Sequence, residues 1–215
     1  MSELPTPFRL DGRVALVTGA SGALGAEFAR SLAAAGARVV LAARRVAAME
    51  ALAAELPGAA VVALDVTDPA SVENAVAQAE TLAGAPVDLL VNNSGIAVPG
   101  GALQQTDEDW ARVMGVNLDG ARRMSVAVAG RLVAAGRAGA IVNVASILGL
   151  RQGAGVSAYA TSKAALIQLT RQHALEWARH SIRVNALAPG YVETDLNRDF
   201  FATEAGQAQI RRIPQ

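Results

Sequence analysis

The sequence predicts one α/β domain built on a doubly wound parallel sheet. Short β-branched runs alternate with longer Ala-rich segments, as parallel strands joined by crossover helices require. Successive elements are spaced by about 20 residues, the interval of such a sheet. The 215 residues, 52% apolar and 18% charged, suffice for one substantial core, and no repeat, charge block or low-complexity linker divides them.

The first strand, Arg13–Thr18, holds the run Val14-Ala15-Leu16-Val17 and leads through a glycine-bearing turn into a helix over Ala23–Ala35. Strands follow at Arg38–Ala42, Val61–Asp65, Asp88–Asn92, Ala140–Ser146 and Ile182–Ala188. Helices fill Arg45–Leu56, Pro69–Ala83, Thr106–Ala135 and Ala158–His180. Thr106, with Asp109 three residues later, reads as a helix start in which a side-chain oxygen satisfies free backbone donors. Ligands of doubly wound sheets lie beyond the carboxyl ends of the strands. That rule directs attention to residues 18–25, 43–45, 65–66, 92–95, 146 and 189–194.

Composition excludes several classes of function. The formal net charge is zero and Arg122-Arg123 and Arg211-Arg212 are only short basic pairs, so a nucleic-acid partner is not expected and a small molecule is. Cysteine is absent, which excludes disulfides, thiol nucleophiles and thiolate metal sites. His173 and His180 read as polar positions near the exposed end of a helix rather than as metal ligands. No apolar stretch is long enough to span a bilayer and no secretory leader is evident, so a cytoplasmic location is expected, away from any membrane.

The turn Thr18-Gly19-Ala20-Ser21-Gly22-Ala23-Leu24-Gly25 joins a strand to a helix. Glycines let a backbone approach a pyrophosphate closely, and the helix start offers free N–H groups and partial positive charge. In that context Gly19, Ser21, Ala23, Leu24 and Gly25 are candidate contacts to a dinucleotide, and the domain is Rossmann-like. The second strand ends in Ala43-Arg44-Arg45, without the acid that holds the ribose 2′-hydroxyl of NAD. A guanidinium at Arg44 suits the 2′-phosphate of NADP, which is therefore expected in preference to NAD. Asp65 and Val66, ending the third strand, are placed to meet the adenine.

Tyr159 and Lys163 are four residues apart in a helix and share one face. An ammonium beside a phenol favours the phenolate and draws the tyrosine toward general acid-base work. Lys163 is also the only lysine among 19 cationic residues, and only lysine offers a compact ammonium with an adjustable pKa. Ser146, closing the fifth strand, is placed either to bond a substrate carbonyl or merely to form a turn.

Together, Thr18–Gly25, Asn92-Asn93-Ser94-Gly95, Asn117, Ser146, Tyr159-x-x-x-Lys163 and Pro189-Gly190-Tyr191-Val192-Glu193-Thr194 resemble the short-chain dehydrogenase/reductase family. The resemblance implies an NADP(H)-dependent oxidoreductase moving a hydride between its cofactor and a ketone, secondary alcohol or 3-oxoacyl substrate, nearest to 3-oxoacyl-carrier-protein reductases. It makes Tyr159 the general acid, has Lys163 lower its pKa and bind the nicotinamide ribose, and has Ser146 orient the carbonyl. Asn117 would hold a relay water, the Asn92 segment would support the sheet against the cofactor, and Val192 and Thr194 would contact the carboxamide. The glycine spacing fits both the extended and the compact branch of the family; the Asn-Asn-Ser-Gly segment, Asn117 and the short chain favour the compact one.

Family members usually continue through another helix and a seventh strand, and Arg183–Ala188 would otherwise be a long apolar sheet edge, so a native C-terminal segment is expected beyond Gln215. A non-catalytic cofactor binder should have lost Tyr159 or Lys163, and a serine hydrolase should carry a Gly-x-Ser-x-Gly elbow; neither expectation fits this chain. Helices 106–135 and 158–180 carry Ala and Leu on more than one face, which together with the resemblance suggests a homodimer or homotetramer.

Overall fold

The computed structural model describes residues 8–193 and 198–211. Six parallel strands, β1 (Val14–Thr18), β2 (Arg38–Ala43), β3 (Ala60–Ala63), β4 (Leu89–Asn92), β5 (Gly139–Val144) and β6 (Ile182–Leu187), form one sheet in the order β3-β2-β1-β4-β5-β6. Register runs in step across it, with Val17 opposite Leu41 on one side and Val91 on the other. Strand order reverses between β1 and β4, which opens a crevice at their carboxyl ends.

The period-2 alternation of the strands divides the apolar residues between two layers. Val14 and Leu16 of β1, Leu90 of β4 and Ile141 of β5 face α3 (Pro69–Ala83), α5 (Ala121–Ala134) and, through Ala174 and Trp177, α6 (Ser157–Trp177). Val17, Val39 and Leu41 face α1 (Ala23–Ala34) and α2 (Ala47–Glu55). Helix α3 starts where Asp68 accepts from Ala70 N at 2.9 Å and ends on the left-handed Gly84. Strand β6 forms the sheet edge, with Ile182 and Val184 buried and Arg183, Asn185, Ala186 and Leu187 exposed. Among the described residues, no helix is long and apolar enough to cross a membrane. Short helices α7 (Arg198–Ala202) and α8 (Glu204–Ile210) follow the sheet.

Two expectations are corrected. The helix predicted over 106–135 is interrupted: α4 (Asp107–Met114) passes into a π-helical turn, Gly115–Gly120, before α5. The Thr106 cap stands, its Oγ1 accepting from Asp109 N at 3.1 Å. The break coincides with the side chain of Asn117, which is drawn out of the helix face into bonds with the loop after β4, and with Gly120, where a Cβ would lie 2.8 Å from Val66 Cβ. His173 is buried, not exposed; its ring stacks, at 4.0 Å between centroids, on Trp177, which itself packs against the core.

Candidate active site

The turn after β1 is clamped by β4. Thr18 Oγ1 accepts from the backbone N–H groups of Asn93 and Ser94, both at 3.0 Å, and Asn93 Nδ2 donates to Thr18 O at 3.1 Å and Gly19 O at 3.2 Å. Gly19 has φ 64, and a Cβ there would lie 3.0 Å from Ser94 Cα. A Cβ on Gly25 would collide with Gly19 O and stand 2.8 Å from Asn93 Nδ2, so α1 begins pressed against the turn. No side chain caps α1, whose first turn therefore presents uncommitted N–H groups with Gly22 and Ala23 exposed and Ser21 and Leu24 half-buried beside them. This glycine cradle under an open helix start fits the pyrophosphate of a dinucleotide.

Arg44 is exposed one residue past β2, close enough to Asp65 to help hold that carboxyl below its usual range. The larger cause is Thr67, whose Oγ1 and backbone N–H donate to Asp65 Oδ1 at 2.7 and 2.9 Å. One Asp65 oxygen thus shapes the turn before α3. Val66 is buried, packed against Gly120, and its carbonyl accepts from Arg123 at 3.4 Å.

Asn92 departs from its expected place against the cofactor. Its side chain turns into the core, where Nδ2 donates to Asn143 Oδ1 at 2.8 Å and Ser125 Oγ at 2.9 Å. Period-2 alternation sends neighbours to opposite sides, so Asn93, to which the sequence reading gave no role of its own, is the residue that reaches the glycine turn. The doubled Asn-Asn held that signal without saying which one faces the crevice.

Ser146 lies just past β5 and caps a 3₁₀ turn, Ile147–Gly149, its Oγ accepting from Leu148 N at 3.1 Å. Gly149 seats that turn on α6: a Cβ there would be 2.8 Å from Lys163 C and 2.9 Å from Ala164 N. Ser146 and Tyr159 are thereby brought together, with Ser146 near enough to the phenol to oppose the effect of burial on it. Lys163 is buried, with Nζ donating to Val144 O at 2.7 Å and standing 5.7 Å from the centre of the Tyr159 ring.

The electrostatics differ from expectation. Burial raises the Tyr159 phenol above its ordinary range, opposed by the Ser146 hydrogen bond, and Lys163 is not among the causes. Burial also brings Lys163 down to about 8, although its ammonium donates to the backbone carbonyl of Val144. Asn117 is fully buried; Oδ1 accepts from Ile96 N at 2.8 Å, and Nδ2 donates to Ile96 O at 2.9 Å and Ser162 Oγ at 3.0 Å. Both amide donors are committed, so a relay water there has only the remaining acceptor capacity of Oδ1 or the backbone of the π turn. A Cβ on Gly95 would be 3.5 Å from both Asn117 Oδ1 and Lys163 Nζ, which places the loop after β4 against both residues.

The 189–193 segment is tied to the same rim by Ile147 N, which donates to Pro189 O at 2.9 Å. Tyr191 meets Phe201 of α7 edge to face at 6.0 Å. Val192 is exposed, and Thr194 lies outside the described residues. Among the described residues, no cluster of His, Asp or Glu is suited to a metal ion.

The short chain dehydrogenase family matches residues 13–205. A galactitol 2-dehydrogenase (L-tagatose-forming) of Cereibacter sphaeroides is 48% identical over 196 residues, covering 89% of this chain and 76% of that relative. A sorbitol dehydrogenase of the same organism is 42% identical over 86% of this chain and 72% of its own length. The crystal structure of a gluconate 5-dehydrogenase from Burkholderia cenocepacia J2315, in complex with NADP and tartrate, superposes with a TM-score of 0.86 at 37% identity, covering 92% of this chain and 78% of that one. These relatives are named for polyols and a sugar acid; the 3-oxoacyl substrate suggested by the sequence finds no support among them.

Proposed function

This chain belongs to the short chain dehydrogenase family and is an oxidoreductase; on that premise we propose that it interconverts a secondary alcohol of a polyol or sugar acid and the corresponding ketone with NADP(H). The observation that carries this reading is the meeting of Ser146 and Tyr159 above the buried Lys163, on the rim shared with the glycine cradle. The polyol class is taken from the names of the relatives.

The cofactor, when bound, supplies or accepts the hydride. Gly19, Gly25 and the open start of α1 hold its pyrophosphate, and Arg44 takes the 2′-phosphate. In oxidation Tyr159 Oη removes the hydroxyl proton of the alcohol while Ser146 Oγ holds the same oxygen; in reduction Tyr159 returns a proton to the carbonyl oxygen. With its phenol raised by burial, Tyr159 is protonated at neutral pH, the form that reduction needs. Oxidation needs the phenolate and should accelerate as pH rises into the alkaline range. Lys163 binds the nicotinamide ribose, and Asn117 holds the loop after β4 against it. Asp65 and Val66 would border the adenine, and Val192 and Thr194 would supply the contacts to the carboxamide.

Calorimetric titration with NADPH and separately with NADH tests the cofactor assignment: NADPH should bind tighter, and Arg44→Ala should weaken NADPH far more than NADH. Turnover of galactitol, sorbitol and gluconate tests the substrate class, and Tyr159→Phe should abolish it while leaving cofactor binding nearly intact. Wild-type turnover by the Phe variant would overturn the mechanism. A second copy of the chain is also proposed to pack on the outer face of α5 and α6, giving a dimer or tetramer.

A further inference from the structure

Strand β5 and helix α6 carry the groups of the proposed reaction, since Ser146 follows β5 and Tyr159 and Lys163 stand on α6. How α6 seats on β5 therefore sets their separation. One polar tie is the bond from Lys163 Nζ to Val144 O at 2.7 Å. A second tie lies two turns further along α6 and touches none of the reacting groups. Asn143 Nδ2 donates to Thr170 Oγ1 at 2.9 Å, and Thr170 Oγ1 donates to Leu166 O at 2.7 Å. On its other side Asn143 Oδ1 accepts from Asn92 Nδ2, which also donates to Ser125 Oγ of α5. Asn92, Ser125, Asn143 and Thr170 are all buried.

An apolar contact between helix and sheet tolerates a small slide at little cost, whereas a hydrogen bond in a low-dielectric interior is directional and costly to break. Asn143 also adjoins Val144, so the strand residues that bind Thr170 and Lys163 are consecutive. Two ties on one helix, two turns apart, fix both its height along the strand and its rotation. We propose that Asn143 and Thr170 are positioning residues for the dehydrogenase reaction, holding α6 on β5 so that Tyr159 meets Ser146; this rests on the roles given above to those two residues. Ser125 belongs to the same buried network but ties β4 to α5, which carries no reacting group.

The test compares Thr170→Val, Thr170→Ser and Ser125→Ala in the full chain, with Tyr159→Phe measured alongside. Thr170→Val should lower kcat on the order of ten- to a hundredfold, as small misplacements of reacting groups do, with the KM for NADPH unchanged. Its oxidative pH profile should move to higher pH, because withdrawal of Ser146 removes the one contact that opposes burial at the phenol. Thr170→Ser, which keeps the hydroxyl, should restore both. Ser125→Ala should lower the melting temperature by a similar amount and leave kcat as it was. If the Val variant does not fold, Thr170→Ala, with space for a water beside Asn143, takes its place in the comparison. Equal kcat in the Val and Ser125→Ala variants, or a Ser variant as impaired as Val, overturns the proposal. A Tyr159→Phe enzyme that still turns over sinks the underlying assignment instead, and a dead Phe variant beside a fully active Thr170→Val sinks only the positioning role.

Discussion

Lys163 is held in a place that favours chemistry over stability. Its ammonium is buried against Val144 O, and burial brings its pKa from 10.5 in the unfolded chain to about 8. Between those two values the unfolded chain binds more protons than the folded one, so stability rises with pH through that window. At neutral pH the charged form is penalised in full, on the order of 3 kcal/mol for a shift of this size. Lys163→Met removes the penalty together with the bond to Val144. The variant's melting temperature relative to the unaltered protein should therefore be most favourable at pH 7 and decline steadily toward pH 10, while its turnover is lost. A difference that stays constant across that range in thermal melts would show that the buried ammonium carries no such cost. The cofactor-free protein is the right sample, because a bound ligand stabilises only the chain that binds it well.

At the scale of elements, the strands and most helices were legible because period-2 and 3.6-residue patterns are local properties of the chain. What was not legible depends on contacts between distant residues. Nothing in residues 106–135 announces the π turn at Gly115–Gly120, since its partners, Ile96, Val66 and Ser162, come from three other parts of the chain. The doubled asparagine at 92 and 93 was read as one motif, although the pleat sends the first into the core and the second to the glycine turn. Tyr159, Lys163, Ser146 and the glycine turn could be proposed from the sequence because their chemistry is carried by residue type and short spacing; the raising of the phenol by burial, opposed by Ser146, depends on geometry. Gly149 was passed over for the same reason. Its missing side chain lets the 3₁₀ turn after β5 rest directly on the backbone of α6 at Lys163. Gly149→Ala must push that turn away from the helix, carrying Ser146 from Tyr159. Steady-state kinetics should show kcat reduced on the order of a hundredfold with cofactor affinity preserved, because the cradle at Gly19 and Gly25 is untouched. Equal losses in kcat and in calorimetric cofactor affinity would mean that the turn supports the whole crevice and not the Ser146 contact.

At the scale of the whole molecule, the sheet separates two tasks. The carboxyl ends of β1, β2 and β4 frame the glycine cradle proposed for the dinucleotide, and those of β4 and β5 meet α6 at the proposed reacting groups. The amino ends are closed by Asp88, which is buried and accepts from Val14 N and from Arg13 and Arg137. The outer face of α5 and α6 serves neither task. It carries Val126, Val133 and Leu175, the last 76% exposed, around a groove of about 740 Å³ floored by the stacked pair His173 and Trp177. Apolar side chains this exposed on two adjacent helices are what a face covered by a second copy of the chain would show. If the copies pair there, an acidic side chain at Leu175 places a charge in the apolar contact, and the assembly should come apart. Multi-angle light scattering should then report an oligomer for the unaltered chain and a monomer for Leu175→Glu. The melting temperature of the unaltered chain should rise with protein concentration, and that dependence should vanish in the variant, because association stabilises only the folded state. The reacting groups lie on the far side of α6 from this face, so the dissociated variant should keep most of its kcat. A monomer in the unaltered chain at every concentration would remove the proposed pairing and leave the exposed leucine as an ordinary surface residue.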